Sequence, residues 1–163
     1  MLSKFYEKNV SNNAKIYPTL NYILRFDGCS KGNPGIAGCG AVIYHENEEV
    51  WFGYYYIGDK ITNNYSEYSG LILGLQQAIK MGIDSLLVEG DSQLVINQMN
   101  NVYKCKSPNL IPLYETAKEL SSTFKIIQLN HIYRNKNKRA DELSNLGVNK
   151  ISLNKVANAD NII

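Results

Sequence analysis

Tyr22-Ile23-Leu24-Arg25-Phe26-Asp27-Gly28 decides the fold: β-favouring, nearly all apolar residues run straight into an acid and a glycine, and Gly32-Asn33-Pro34-Gly35 follows as a turn. The segment reads as a buried strand that stops at Asp27-Gly28 and opens into a loop. Downstream, Gly40-Ala41-Val42-Ile43-Tyr44 and Val50-Trp51-Phe52-Gly53-Tyr54-Tyr55-Tyr56 flank the polar stretch His45 to Glu49, the pattern of an antiparallel hairpin. From Ser66 to Met81 the apolar positions Tyr68, Leu71, Leu75, Ala78 and Ile79 recur at helical spacing, and Gly82 supplies the stop. Ser85 to Val88 reads as a short buried strand ending near Asp91, and Ser92 to Met99 as a short helix. A helix over Leu110 to Leu120, a strand over Phe124 to Ile132 and a last helix over Lys138 to Val148 complete the pattern. Three antiparallel-looking strands followed by alternating helices and strands imply an α/β fold, a mixed sheet covered by helices.

At 163 residues the chain suits one domain. It divides into an N-terminal extension over 1–20, expected to be flexible, a domain over 21–149 and a C-terminal tail over 150–163. A composition of 44% hydrophobic and 20% charged residues excludes the disordered and fibrous classes. No run of about 18 apolar residues is present, and Met1-Leu2-Ser3-Lys4 does not begin a secretory signal. An intracellular protein, cytoplasmic or nuclear, not secreted and without a membrane partner, is expected. Three cysteines without CxxC spacing indicate neither a disulfide framework nor a zinc site. The net charge is only +2, but residues 101–150 carry nine Lys/Arg against four Asp/Glu. Lys104, Lys106, Arg134, Lys136, Lys138 and Arg139 could follow a phosphate backbone or simply form a solvated face.

Four acids stand at positions where chemistry is often placed, and each has an ordinary explanation. Asp27 follows an apolar strand, where a turn aspartate would bond the next loop. Asn64-x-x-Glu67 approximates a capping box, yet Glu67 shares a helix face with Leu71, Gly74 and Ala78, which turns it toward the sheet. Asp91 precedes a helix it could cap, and Asp141 sits early in the last helix, where an acid gains from the dipole. If strand one lies beside strand four, however, Asp27 and Asp91 become neighbours, and the helices bearing Glu67 and Asp141 pack over the same edge. Like unit charges ~4 Å apart repel by about 4 kcal/mol at an effective dielectric of 20. A divalent cation reverses that sign, and carboxylates without cysteine or several histidines favour Mg²⁺ or Mn²⁺.

Over roughly residues 21 to 149 the sequence resembles type 1 ribonuclease H. Four segments carry the resemblance: Asp27-Gly28-Cys29-Ser30-Lys31-Gly32-Asn33-Pro34-Gly35, Thr62-Asn63-Asn64-Tyr65-Ser66-Glu67, Glu89-Gly90-Asp91-Ser92-Gln93-Leu94-Val95, and His131-Ile132-Tyr133-Arg134-x-x-Asn137-x-x-Ala140-Asp141. It implies a ribonuclease H-like fold, a five-stranded mixed sheet in order 3-2-1-4-5 flanked by helices. The implied reaction is hydrolysis of the RNA strand of an RNA–DNA hybrid, giving 3′-hydroxyl and 5′-phosphate ends with two Mg²⁺ or Mn²⁺ ions per site when substrate is bound. By the family pattern Asp27 bridges both ions, Asp141 helps hold the one that activates water, and Glu67 with Asp91 holds the one facing the leaving oxygen.

The resemblance also implies that Asn63 and Asn64 sense the 2′-hydroxyl, and an amide suits that task because it both donates and accepts. Thr62 and Asn109 match positions that hold a phosphate of the DNA strand, and Asn33 belongs to the same set of nucleic-acid contacts. Two departures stand out. Only Asn100 to Ser107 fills the place where many relatives carry a basic handle, and Arg134 in a short loop replaces the histidine assigned to product release. Arg134 therefore joins the catalytic candidates as a fixed charge, unable to shuttle a proton, while His131 is expected on the last strand. A non-catalytic nucleic-acid-binding module, and a related nuclease acting on junctions or double-stranded RNA, are the competing readings. A monomer is expected.

Overall fold

The computed structural model describes residues 20–149. The expected extension (1–20) and tail (150–163) lie outside the described residues, save Leu20, which is buried. In chain order the elements are β1 (Tyr22–Lys31), β2 (Gly35–His45), β3 (Glu48–Ile61), α1 (Asn63–Lys80), β4 (Ser85–Gly90), α2 (Gln93–Met99), α3 (Ile111–Ser121), β5 (Ile126–His131), a 3-10 turn (Arg134–Lys136) and α4 (Lys138–Asn149). They build one five-stranded sheet in the order β3-β2-β1-β4-β5. β1, β2 and β3 pair antiparallel, whereas β1 with β4 and β4 with β5 pair parallel. This is the mixed sheet and the strand order that the resemblance implies.

β1 corrects one expectation. The strand does not stop at Asp27-Gly28 but continues to Lys31, because the ladder with β2 runs on through Asp27↔Gly40, Gly28↔Cys39, Cys29↔Gly38, Ser30↔Ala37 and Lys31↔Ile36. Glycines read as breakers in the sequence are, in the sheet, places where a helix comes close. The hairpin between β2 and β3 forms as expected, and its two linking residues, Glu46 (φ 51) and Asn47 (φ 70), are both left-handed. That backbone matches the right-handed twist of the strands it joins.

Alternation along β1 assigns its two faces. Leu24, Phe26 and Gly28 face α1, while Asp27 shares the other face with its ladder partner Gly40, against which α4 packs. The core lies mainly under α1, where Leu24, Phe26, Ile43, Leu71, Leu75 and Val88 are wholly buried. Tyr68 and Gln98 add a polar link inside it, the phenol donating to Gln98 Oε1 at 2.7 Å. Among the described residues no helix is long and apolar enough to cross a membrane.

Because both partners of that link are buried, Tyr68→Phe leaves an acceptor without its donor and should lower the unfolding free energy by about 1–3 kcal/mol. Urea denaturation measures this, and adding Gln98→Leu should recover part of the loss.

Candidate active site

The arrangement starts from a close approach. A Cβ placed on Gly28 would lie 2.1 Å from the Ser66 carbonyl carbon and 2.3 Å from Glu67 N, so only glycine lets the backbone of α1 rest on β1 here. Glu67 is thereby held beside Asp27. On the parallel side, the Phe26↔Gly90 register sets Asp91, the residue after β4, next to Asp27. Carboxylate oxygens of Asp27, Glu67 and Asp91 all lie within 4.8 Å of one another, with Asp27 and Glu67 buried.

The ordinary explanations for these acids do not apply. Thr62, not Asn64, caps α1, its Oγ1 accepting from Tyr65 N at 3.2 Å, so Glu67 has no capping duty. Ser92 rather than Asp91 caps α2, accepting from Val95 N at 3.3 Å. Asp27 Oδ2 accepts from Ser144 Oγ on α4 at 3.1 Å, across the sheet from the loop it was expected to bond. Glu89 is occupied elsewhere, in an ion pair with Arg25 at 3.0 Å.

Asp141 departs from the expected quartet. It sits in the first turn of α4 and its charge reaches Asp27, but it is not among the three carboxylates that meet within 4.8 Å. Its Oδ1 instead lies 3.4 Å from Arg134 Nη2 and 3.4 Å from Asn145 Nδ2. The fourth acid thus meets a positive charge outside the cluster formed by the other three. Arg134 itself is 81% exposed.

Sequence reasoning assigned no role to two polar side chains that touch the acids. Asn137 is buried, and its Nδ2 donates to Phe26 O at 2.9 Å and to Asp91 Oδ2 at 3.1 Å, tying β1 to the residue that ends β4. Ser144 is wholly buried beside Asp27. The available signal was position: Asn137 stands inside the fourth motif, and Ser144 lies three residues after Asp141 on the same helix face. His131 ends β5 as expected, with Nε2 3.2 Å from the Asp91 carbonyl.

The substrate-contact candidates divide. Asn33 Oδ1 accepts from Asn63 N at 3.1 Å, so Asn33 joins Thr62, Asn63 and Asn64 at the start of α1, where Asn63 and Asn64 are exposed. Asn109 is exposed in the turn before α3, with no recorded contact to that group.

Burial, then the Asp91 charge, raises the Asp27 carboxyl from 3.8 to about 7, against the opposing hydrogen bonds with Glu67 and Ser144. Burial, then the Asp27 charge, pushes Glu67 well above the usual range. Among the described residues no Lys or Arg ion pair reaches these three acids, and Glu67 Oε2 is buried with no hydrogen-bond partner. An all-oxygen donor set with an orphaned carboxylate oxygen fits a hard divalent cation.

Known proteins resemble this chain in sequence and fold. The reverse transcriptase-like family matches residues 25–147. A bifunctional protein of Mycobacterium tuberculosis is 38% identical over 143 residues, covering 86% of this chain but only 39% of that protein. The ribonuclease HI of Halobacterium salinarum is 39% identical over 121 residues, covering 74% of this chain and 60% of that protein. The chain thus spans less than two thirds of the length of these curated relatives. A crystal structure of RNase H1 from Halobacterium salinarum aligns with TM-score 0.75 and 35% identity over 79% of this chain and 98% of that one. LC11-RNase H1, crystallised in complex with an RNA/DNA hybrid, aligns with TM-score 0.73 and 36% identity over 79% and 97%.

The raised Asp27 pKa fixes a sign. A carboxyl that binds its proton more tightly when folded stabilises the fold fully below about pH 4, and loses that contribution as pH rises through about 7. In EDTA, the stability of the wild type relative to Asp27→Asn should therefore fall across this window, by up to about 1.4 kcal/mol per pH unit for one proton. Urea titrations at stepped pH give the slope. Added Mg²⁺ should restore stability most at the alkaline end.

Proposed function

The chain belongs to the type 1 ribonuclease H family, and we propose that it hydrolyses the RNA strand of RNA–DNA hybrids, leaving 3′-hydroxyl and 5′-phosphate ends. One observation carries the reading: three acids from β1, α1 and the end of β4 meet within 4.8 Å with no Lys or Arg ion pair among the described residues, and one of them, Glu67, has a buried carboxylate oxygen with no hydrogen-bond partner. Such a centre is costly to build for stability alone.

Asp27, Glu67 and Asp91 would hold Mg²⁺ or Mn²⁺, two ions with substrate bound, and Asp141 would complete the set from the rim. When bound, such ions lower the pKa of the attacking water and neutralise charge on the leaving 3′-oxygen. The chain's own groups do the rest. Asp27 lies between the acids of β4 and α1 and serves both halves of the site. Asn137 keeps Asp91 turned inward through its amide. Arg134 offers a fixed positive charge to a phosphate next to Asp141, and cannot relay a proton at neutral pH.

Discrimination for RNA falls to Asn63 and Asn64, whose exposed amides offer both donor and acceptor to a 2′-hydroxyl. Asn33 steadies them from the loop after β1, and Thr62 and Asn109 contact the DNA-strand phosphates. All three central acids come from one chain, so a monomer suffices.

A gel assay on labelled hybrid should show cleavage with Mg²⁺ and none in EDTA, with slower or absent cleavage of an RNA duplex. Equal rates on both duplexes would favour the double-stranded RNA reading. Asp91→Asn should lower hybrid cleavage at least about 100-fold while leaving the metal-free melting temperature unchanged or higher, since one repelling charge is gone. Retained turnover in that variant would refute the site assignment. Because only Asn100 to Ser107 stands where many relatives carry a basic handle, the slope of log K against log salt should be shallow, with each phosphate contact contributing about −0.9.

A further inference from the structure

Ser144 stands apart from the other serines of the helices. It is wholly buried on α4, and its Oγ lies 3.1 Å from Asp27 Oδ2 and 2.8 Å from the carbonyl of Asp141, one turn earlier. A helix serine that bonds the preceding turn is ordinary; one whose hydroxyl also meets a buried carboxylate on a different element is not.

A hydroxyl has one hydrogen to give, and two acceptors compete for it here. The Asp141 carbonyl already receives Asn145 Nδ2 at 2.8 Å. Asp27 is the poorer supplied of the two, buried and without an ion pair among the described residues. The backbone is arranged for the contact as well. A Cβ on Gly40, the ladder partner of Asp27, would lie 2.5 Å from Leu143 Cβ and 2.8 Å from Ser144 N, so glycine at that point lets α4 settle close enough for Ser144 to reach Asp27.

Resting on the reading of the site given above, we infer that Ser144 is a positioning residue for divalent-cation binding. It holds Asp27 Oδ2 toward α4, leaves the other carboxylate oxygen for the cation, and couples Asp27 to the helix that carries Asp141. A neutral donor suits this place because it fixes the ligand without adding a charge that would compete with the ion.

Calorimetric titration of the full chain with Mn²⁺ tests it, with thermal unfolding in EDTA run in parallel. Ser144→Ala should bind Mn²⁺ about tenfold more weakly than wild type, and Ser144→Cys, similar in shape but a weak donor, should fall between them. The cysteine variant also supplies the answer if the alanine variant does not fold. Ser69→Ala is the control: Ser69 is a buried serine of α1 whose Oγ donates to Tyr65 O at 2.9 Å, and its loss should leave Mn²⁺ affinity unchanged. Affinity of the Ser144 variants within about twofold of wild type would overturn the inference whatever happens to the melting temperature, since a purely structural serine lowers stability alone. If wild-type protein itself takes up no Mn²⁺, the reading of the acids as a cation site fails first, and the two failures are told apart.

Discussion

Desolvated like charge is the constraint around which this fold is arranged. Three carboxylates share a space less than 5 Å across at the centre of the sheet, where each would be more stable in water or apart. Two glycines make the approach possible, one on each face of the sheet. Gly28 admits the backbone of α1 and with it Glu67; Gly40 admits α4 and with it Ser144. The helices reach the sheet at the very point where its charge is worst placed, and what they bring are hydrogen bonds to the acids and, in Glu67, one more acid. Packing elsewhere, chiefly the apolar cluster beneath α1, must hold these pieces together.

The relief that the protein itself supplies is neutral. Asn137 donates to Asp91 and Ser144 to Asp27, so two of the acids meet an uncharged donor from α4 or the loop before it. Positive charge is kept to the periphery: Arg134 engages Asp141 at the rim, Arg25 engages Glu89, and Arg139 engages Glu49 and Glu142. An arginine at the centre would quiet the repulsion but fill the space where a cation acts. Of the four acids, only Asp141, which lies outside the cluster, is paired with a guanidinium among the described residues.

Much of this was readable from the sequence, for physical reasons that differ residue by residue. The succession of strands and helices was legible because alternation and 3.6-residue periodicity mark each element, whereas the order of strands within the sheet came from the resemblance that the four motifs carry. The length of β1 was not, because Gly28 looks like an interruption until α1 is seen resting on it. The capping of α1 was misplaced by two residues: Asn64 and Thr62 are both acceptable caps, and only the backbone says which one precedes the first turn. Ser144 is marked only by its place three residues after Asp141, a weak signal, since a serine inside a helix usually bonds its own preceding turn. Asp141 lies on its helix as read, but its contact with Arg134 comes from a 3-10 turn that the pattern of residues does not announce.

The parallel pairing of β1 with β4 has a temporal meaning. Asp27 and Asp91 are 64 positions apart along the chain, and α1 and its connections must be threaded across the sheet before the two strands can meet. Closing such loops is an entropic expense, and topologies dominated by distant contacts fold slowly. An incompletely assembled polypeptide therefore presents scattered acids with ordinary solution behaviour. The three-acid cluster therefore comes into being only with the finished topology, and so does any cation affinity that depends on it.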